Sequence, residues 1–149
     1  GAEIRFRENN NDYLLYGVDR EILSICYDYY EKGVELFRKE VKLPNSVFIQ
    51  AHPLRDGCEL CATDLPDGIE TFNMHPNQKS QNARMVRIAA QNNVKIKIAG
   101  SDFHHKNCDH EALAALRTRY LPKDSFELAS ILKSGDYILE IGEDSLVLP

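Results

Sequence analysis

The sequence has no apolar run long enough to span a bilayer, and it has no internal repeat or low-complexity segment. It does not open with a charged stretch followed by an apolar stretch, the arrangement of a secretory signal. These absences argue against a membrane-spanning chain and against export. The 149 residues fit one domain covering residues 1–149, and we expect a cytoplasmic protein.

An excess of positive charge is also missing. The chain has 18 Lys and Arg against 23 Asp and Glu, which gives a net charge of −5. This balance argues against loose electrostatic binding to nucleic acid or to an anionic membrane surface. We therefore expect neither nucleic acid nor a membrane as a partner, and a phosphate ligand needs a local site.

Cysteine is scarce, and its spacing allows two interpretations. The four cysteines are Cys26, Cys58, Cys61 and Cys108. In a reducing compartment they are free thiols or metal ligands before they are disulfides. Cys58 and Cys61 have Cys-x₂-Cys spacing, and Cys108 with His105 or His110 would complete a tetrahedral zinc site. The alternative is a variable loop that carries two incidental thiols.

Short β-like runs alternate with longer amphipathic stretches, a pattern that favours an α/β fold. The predicted strands cover residues 3–6, 13–18, 47–51, 69–72, 94–99, 137–141 and 146–148, with hairpins joining the first two and the last two. The predicted helices cover 19–43 (continuous, or broken near Gly33), 80–91, 110–120 and 125–133.

Two loops that follow predicted strands contain clusters of potential metal ligands. One loop covers residues 51–62, and the other covers residues 100–105. In α/β folds, ligands bind at the loops that follow the carboxyl ends of strands. The two clusters therefore occupy equivalent positions, where binding sites form.

The spacing of Asp102 and His104 indicates a ligand pair. Residues two apart in extended backbone project to the same side, with Cα atoms about 6.6 Å apart, so both side chains could reach one metal ion. The alternative is a solvated turn. In the other loop, His52 precedes Pro53, which predicts an extended backbone and a fixed imidazole direction. Arg55 offers a planar fork suited to phosphate or carboxylate, although a buried histidine and a surface arginine are the ordinary interpretations.

Taken in order, three segments resemble a known family. Ala51–Arg55 reads Ala-His-Pro-Leu-Arg, Asp67–Asn73 reads Asp-Gly-Ile-Glu-Thr-Phe-Asn, and Gly100–His104 reads Gly-Ser-Asp-Phe-His. They resemble the later motifs of the polymerase and histidinol phosphatase (PHP) domain family. The resemblance covers residues 3–137, and the ordered set is more specific than any one segment.

The resemblance implies a fold and a set of site residues. Members of the family are distorted (β/α)₇ barrels that hydrolyse phosphoesters with zinc, manganese or iron at the carboxyl end of the barrel. By position, His52, Asp102 and His104 resemble metal ligands of the family, and Glu3 resembles its metal-bridging glutamate. Asp102, His104 and Arg55 are the residues implied for catalysis. Glu70 and Asn73 are implied to support the site without binding metal.

One feature of the family has no counterpart in this chain, namely the first strand with its His-x-His motif. The histidines here are His52, His75, His104, His105 and His110. We therefore expect an α/β fold that corresponds to the carboxyl-terminal part of the barrel, an incomplete PHP-type (β/α)₇ barrel with fewer bound metal ions.

The expected function is hydrolysis of a small phosphoester by metal-activated water, with weak activity in the isolated chain because the metal-ligand set is incomplete. The alternative is a non-catalytic scaffold subunit that binds a metal ion or an anion such as phosphate. An incomplete barrel leaves strand edges and apolar surface uncovered, so we expect a homo-oligomer or a partner chain that completes it.

Overall fold

The computed structural model describes residues 1–104, 113–142 and 145–149, and this part of the chain forms two sheets and four helices. The strands are β1 (Ala2–Arg5), β2 (Asp12–Tyr16), β3 (Val47–Gln50), β4 (Gly68–Asn73), β5 (Ile96–Gly100), β6 (Ala114–Thr118), β7 (Tyr137–Ile141) and β8 (Ser145–Val147). The helices are α1 (Arg20–Asp28), α2 (Val34–Glu40), α3 (Asn82–Gln91) and α4 (Ser125–Ser134).

The larger sheet has the strand order β1-β2-β3-β4-β5. The pairs β1–β2 and β2–β3 are antiparallel, whereas β3–β4 and β4–β5 are parallel. Because β2 alone runs in the opposite direction, β1, β3, β4 and β5 all end at one edge of the sheet, and β2 begins there. The loops that follow β3, β4 and β5 therefore meet at the same end of the sheet.

The larger sheet is covered on both faces. All four residues of β3 are buried, and its three apolar residues alternate between two hydrophobic clusters. Val47 and Ile49 pack with α4 and β7 on one face. Phe48 packs with α1 and α2 on the other face, where α3 also packs through Met85 and Ala89. A strand buried on both faces is a continuous apolar run, which is the pattern seen in the sequence.

The expectation of an incomplete (β/α)₇ barrel is wrong. Within residues 1–104, 113–142 and 145–149, no strand closes β1 onto β5, and β6, β7 and β8 form a separate three-stranded sheet. The face bearing Val47, Ile49 and Ile98 packs against Leu132 of α4 and Leu139 of β7. Helix α4 and the small sheet thus bury the surface that a closed barrel would bury inside itself, so the fold is a two-sheet α/β structure.

Most of the predicted elements are confirmed, with shifts at their ends. The first hairpin, the last hairpin and the parallel strands form as expected. Asp19 caps α1 by accepting a hydrogen bond from the amide of Ile22. The predicted helix is interrupted before Gly33, the N-cap residue of α2, whose φ of 90° favours glycine. No helix in the described ranges combines the length and apolar character needed to cross a membrane.

The helix predicted over 110–120 is wrong for the part that the structure describes. Residues 114–118 form β6, which pairs with β7 in antiparallel register from Ala114 opposite Ile141 to Thr118 opposite Tyr137. The sequence of this segment favours a helix by propensity, but pairing with β7 supplies backbone hydrogen bonds along its whole length.

Candidate metal centre

A cleft of about 380 Å³ lies at the end of the larger sheet where β1, β3, β4 and β5 finish. It is lined by Glu3, Ile4, Arg5, Asp12, His52, Arg55, Asp102 and His104. This set includes all five site residues predicted from the sequence. A larger cleft of about 830 Å³ lies beside α2, and no group of metal ligands forms in it among the described residues.

The cleft contains residues from the two outermost strands of the larger sheet, β1 and β5, or from the loops that follow them. Glu3 is on β1 and Asp102 follows β5, and four strand spacings separate these strands, about 19 Å in a flat sheet. Both residues nevertheless line one small cleft. The sheet and its loops must therefore curve inward at this edge, and the cleft exists only when the whole sheet is assembled.

One group of donors comes from three neighbouring strands. The Nε2 atom of His52 lies 3.7 Å from Oε1 of Glu3 and 3.5 Å from Oδ2 of Asp12. The donor atoms of the three residues lie within 4.8 Å of one another. Two carboxylates and one imidazole nitrogen at these distances form a donor set that suits a divalent cation.

His52 is held in a strained and buried position. Its side chain is 4% exposed and its φ is 29°, on the left-handed side, so the extended backbone predicted from Pro53 is wrong. The amide of His52 donates to Oε2 of Glu70 at 2.7 Å, and its Nδ1 lies 3.6 Å from Sγ of Cys58. Strain of this kind in a non-glycine residue concentrates at functional sites.

A second group consists of Asp102, His104 and His75, whose donor atoms lie within 4.8 Å of one another; Asp102 and His104 line the cleft, and His75 lies next to them. Asp102 has a φ of 53°, so the extended backbone predicted for this loop is also wrong. The two predicted ligands meet because His104 folds back: its Nδ1 lies 2.7 Å from the backbone oxygen of Asp102 and 3.6 Å from Oδ1. A carbonyl oxygen only accepts, so Nδ1 carries a proton; in the neutral tautomer with this hydrogen bond, Nε2 holds the lone pair.

Arg55 contacts the carboxylate of Asp102 directly. Nη2 of Arg55 donates to Oδ2 of Asp102 and, at 2.9 Å, to Oδ1 of Asn73. Burial on its own would raise the pKa of Asp102, but the hydrogen bond and the charge of Arg55 outweigh it and hold this pKa below its usual value. Nε of Arg55 is buried and has no hydrogen-bond partner in the described chain.

The carboxylate of Asp12 is also paired with an arginine. Nε and Nη2 of Arg5 each donate to one oxygen of Asp12 at 2.7 Å, in the bidentate geometry typical of this pair. The register of the first hairpin places these two residues opposite each other. The cleft therefore contains acidic side chains whose charges are largely balanced by Arg5 and Arg55.

Sequence reasoning missed two residues of the site, Asp12 and His75. Asp12 lies just outside the strand predicted over residues 13–18, although the pairing of β1 with β2 includes it and it lies beside His52. Working through the register of the three neighbouring strands would have identified it. His75 follows β4 by two residues, and its position depends on a loop conformation that no short motif specifies.

The described residues do not support the alternative zinc site. Sγ of Cys61 donates to Oε1 of Gln50 at 3.0 Å, whereas Sγ of Cys58 lies near His52 and the backbone oxygen of Asn10. Burial raises the pKa of both thiols, that of Cys61 to about 11, which disfavours the thiolate that zinc requires. The other proposed ligands, Cys108, His105 and His110, lie outside the described residues.

The donor set fits a divalent metal ion. Carboxylate oxygens and imidazole nitrogens are ligands that zinc, manganese and iron accept. The fit rests on the convergence of Glu3, Asp12 and His52 and on the tautomer of His104, whose hydrogen bond leaves Nε2 as the lone-pair nitrogen. Arg5 and Arg55 line the same cleft, and each pairs with a carboxylate there.

No protein-family model, curated protein or solved structure matches this chain.

Proposed function

We propose that the protein is a metal-dependent hydrolase of the PHP type that acts on small phosphoesters with zinc, manganese or iron. One observation supports this most strongly: Glu3 and the ligands predicted from the segments Ala51–Arg55 and Gly100–His104 line a single cleft, although they span residues 3 to 104. When bound, a divalent ion supplies a Lewis acid for the phosphoryl oxygens and an activated water as nucleophile.

The residues of the cleft have distinct roles in this proposal. Glu3, Asp12 and His52 hold one metal ion, and Asp102 with His104 holds or shares a second. Arg55 binds a phosphoryl oxygen, because its planar group can donate hydrogen bonds through more than one nitrogen and its Nε has no partner in the described chain. Compact phosphate-bearing molecules suit a cleft of about 380 Å³ better than a long polyanion does.

The test uses the full chain in isothermal titration calorimetry with Zn²⁺ and Mn²⁺, followed by hydrolysis of p-nitrophenyl phosphate. We expect about one or two equivalents of metal and slow turnover. His52→Ala and His104→Ala should each weaken metal binding at least about ten-fold and abolish turnover. Glu31→Gln is the matched control, because Glu31 is an exposed carboxylate that pairs with Arg7 outside the cleft.

Two results would contradict the proposal. The first is wild-type protein that binds no divalent ion, and the second is turnover that survives His104→Ala. Metal binding without turnover would support the alternative function, a non-catalytic scaffold subunit that binds a metal ion or an anion. The Arg5–Asp12 and Arg55–Asp102 pairs favour that alternative. A metal ion must compete with each arginine for a carboxylate oxygen, which weakens metal binding.

We also propose that a second copy or a partner chain pairs with β1. In the described part of the chain, β1 has no strand on its outer side, and an unpaired edge strand invites pairing. Size-exclusion chromatography with light scattering should show a mass above 17.0 kDa at micromolar concentration. A single monomer peak would contradict this expectation.

A cytoplasmic location remains our proposal. It is supported by the free thiols of Cys26, Cys58 and Cys61.

A further inference from the structure

His75 has the position of a third ligand in the second donor group. One of its ring nitrogens lies within 4.8 Å of a carboxylate oxygen of Asp102 and of a ring nitrogen of His104. Its ring packs edge-on against the ring of His104, with centroids 5.7 Å apart. Proximity alone would therefore assign His75 to the metal.

The hydrogen bonds of His75 indicate a different role. The backbone N–H of Asn77 donates to Nδ1 of His75 at 3.2 Å. A nitrogen that accepts a hydrogen bond carries no proton, so the ring is neutral and its proton is on Nε2. One nitrogen then uses its lone pair on the backbone, and the other is an N–H donor. A metal ligand needs a nitrogen lone pair, which His75 does not offer in this arrangement.

The contrast with His104 makes the distinction specific. In His104, Nδ1 donates to a backbone carbonyl, so the lone pair is at Nε2. In His75, Nδ1 accepts from a backbone amide, so the proton is at Nε2. The two histidines lie side by side with opposite tautomers, and only His104 suits a metal ion.

Asn73 links His75 to Arg55. Oδ1 of Asn73 accepts from the backbone N–H of His75 at 3.2 Å and from Nη2 of Arg55 at 2.9 Å. One amide oxygen thus holds the backbone of His75 and the guanidinium of Arg55 beside the same loop. Groups that offer N–H donors and no acceptor recognise anionic oxygen atoms.

We propose that His75 is an anion-binding residue, which donates its Nε2 proton to a phosphoryl oxygen, and that it is not a metal ligand. This inference rests on the proposed function, since it names the group that recognises the phosphate of that substrate. The neutral tautomer donates without any proton transfer, so the interaction does not require His75 to titrate.

The first test determines the tautomer in the metal-free full chain. Long-range proton–nitrogen correlation spectra distinguish a ring protonated at Nε2 from one protonated at Nδ1. We expect His75 to be protonated at Nε2 and His104 at Nδ1. A His75 ring protonated at Nδ1 would overturn the inference, whatever the protein does with metal ions or phosphoesters.

The second test measures the binding of inorganic phosphate and of Mn²⁺ by calorimetry, each with and without the other. His75→Ala should weaken phosphate binding about ten-fold or more while Mn²⁺ binding stays within about three-fold of wild type. His75→Gln retains an N–H donor and should recover most of the phosphate affinity. His104→Ala is the comparison variant and should lose Mn²⁺ affinity.

The outcomes separate the two proposals. Loss of Mn²⁺ affinity in His75→Ala, as in His104→Ala, would overturn the inference and leave the proposed function intact. Unchanged phosphate affinity in His75→Ala, or no phosphate binding by wild type with or without Mn²⁺, would also overturn it. A wild-type chain that binds phosphate through His75 but binds no metal would support the inference and contradict the proposed function.

Discussion

Glu70 connects the loop after β3 to the end of β4 through a single carboxylate oxygen. Its Oε2 accepts hydrogen bonds from the backbone N–H of His52 at 2.7 Å and from Nδ2 of Asn73 at 3.1 Å. Burial raises its pKa, and its two hydrogen bonds act in the opposite direction without reversing the shift. The side chain therefore fixes the backbone of His52 at the cost of a buried acidic group.

Gly100 leaves the space that Glu70 occupies. A Cβ atom at position 100 would collide with Oε1 of Glu70. We expect Gly100→Ala to destabilise the fold by about 1–3 kcal/mol and to weaken metal binding, because the Glu70 side chain must move away from His52. Urea unfolding and calorimetry check both effects.

Gly142→Asn is the matched control for Gly100→Ala. No described residue comes within 4 Å of a Cβ atom placed at Gly142, and its φ of 64° is one that asparagine tolerates. Equal stability losses in the two variants would show that contact with Glu70 is not the cause.

Cys58 is the partner of His52 on the side away from the carboxylates. If a metal ion bound Nε2 of His52, Nδ1 would carry the proton and would donate to Sγ of Cys58, which lies 3.6 Å away. Removing such a partner typically weakens metal binding, so Cys58→Ala should reduce the affinity for Zn²⁺ about ten-fold. Cys58→Ser keeps an acceptor and should retain most of the affinity.

Cys61→Ala serves as the control for the Cys58 variants, because the Cys61 thiol bonds to Gln50 and does not contact His52. Calorimetric titration of all three variants provides the measurement. A Cys58→Ala protein with wild-type affinity would exclude this role for the thiol.

At the scale of elements, the small sheet protects the edge of the larger one. The hydroxyl of Tyr137 on β7 donates to the backbone oxygen of Lys97 at 2.9 Å and accepts from its N–H at 3.3 Å. Lys97 is on β5, the last strand of the larger sheet. One side chain thus satisfies two backbone groups that would otherwise lack a strand partner.

Tyr137→Phe should cost about 1–3 kcal/mol, because it leaves the N–H and the carbonyl of Lys97 without their partner while the aromatic ring stays in place. Tyr27→Phe is the control, since Tyr27 is 81% exposed. Chemical denaturation measures both variants, and hydrogen exchange at Lys97 should accelerate only in Tyr137→Phe. Equal stabilities of Tyr137→Phe and wild type would refute the role of the hydroxyl.

The sequence predicts element types well where local patterns and tertiary packing agree. The apolar run at 47–51 and the cap at Asp19 lead to β3 and α1 as expected. The helix predicted over residues 114–118 is wrong because the strand at these residues depends on pairing with β7, about 19 to 27 positions further along the chain. The same holds for the site. His52 and Asp102 could be predicted because they lie in loops directly after strands, whereas the positions of Asp12 and His75 depend on strand register and on loop conformation.

At the scale of the whole molecule, the buried thiol of Cys26 and the buried phenol of Tyr13 make the folded chain less stable at alkaline pH. Burial raises the pKa of Cys26 to about 11 from an ordinary value of 9.0, and that of Tyr13 to about 12 from 10.0. The unfolded chain therefore loses these protons at lower pH than the folded chain does. Stability is retained below about pH 9 and falls as the pH rises toward the folded values.

Cys26→Ala isolates one contribution to this alkaline instability. Cys26 is 5% exposed, and its thiol should account for roughly 2 kcal/mol of the stability that wild type loses between about pH 8 and pH 10.5. The variant will be less stable at pH 8, because it loses packing, but its stability should decline less steeply. Urea unfolding under reducing conditions measures both profiles, and parallel profiles would contradict the assignment.

The packing of α4 and β7 on the larger sheet has a consequence for protein synthesis. Val47, Ile49 and Ile98 emerge from the ribosome well before Ala129, Leu132 and Leu139, the residues that cover them. A nascent chain synthesised only as far as residue 100 exposes one apolar face of the larger sheet, a state prone to aggregation and suited to chaperone binding. Productive folding of this sheet therefore waits for the synthesis of α4 and β7.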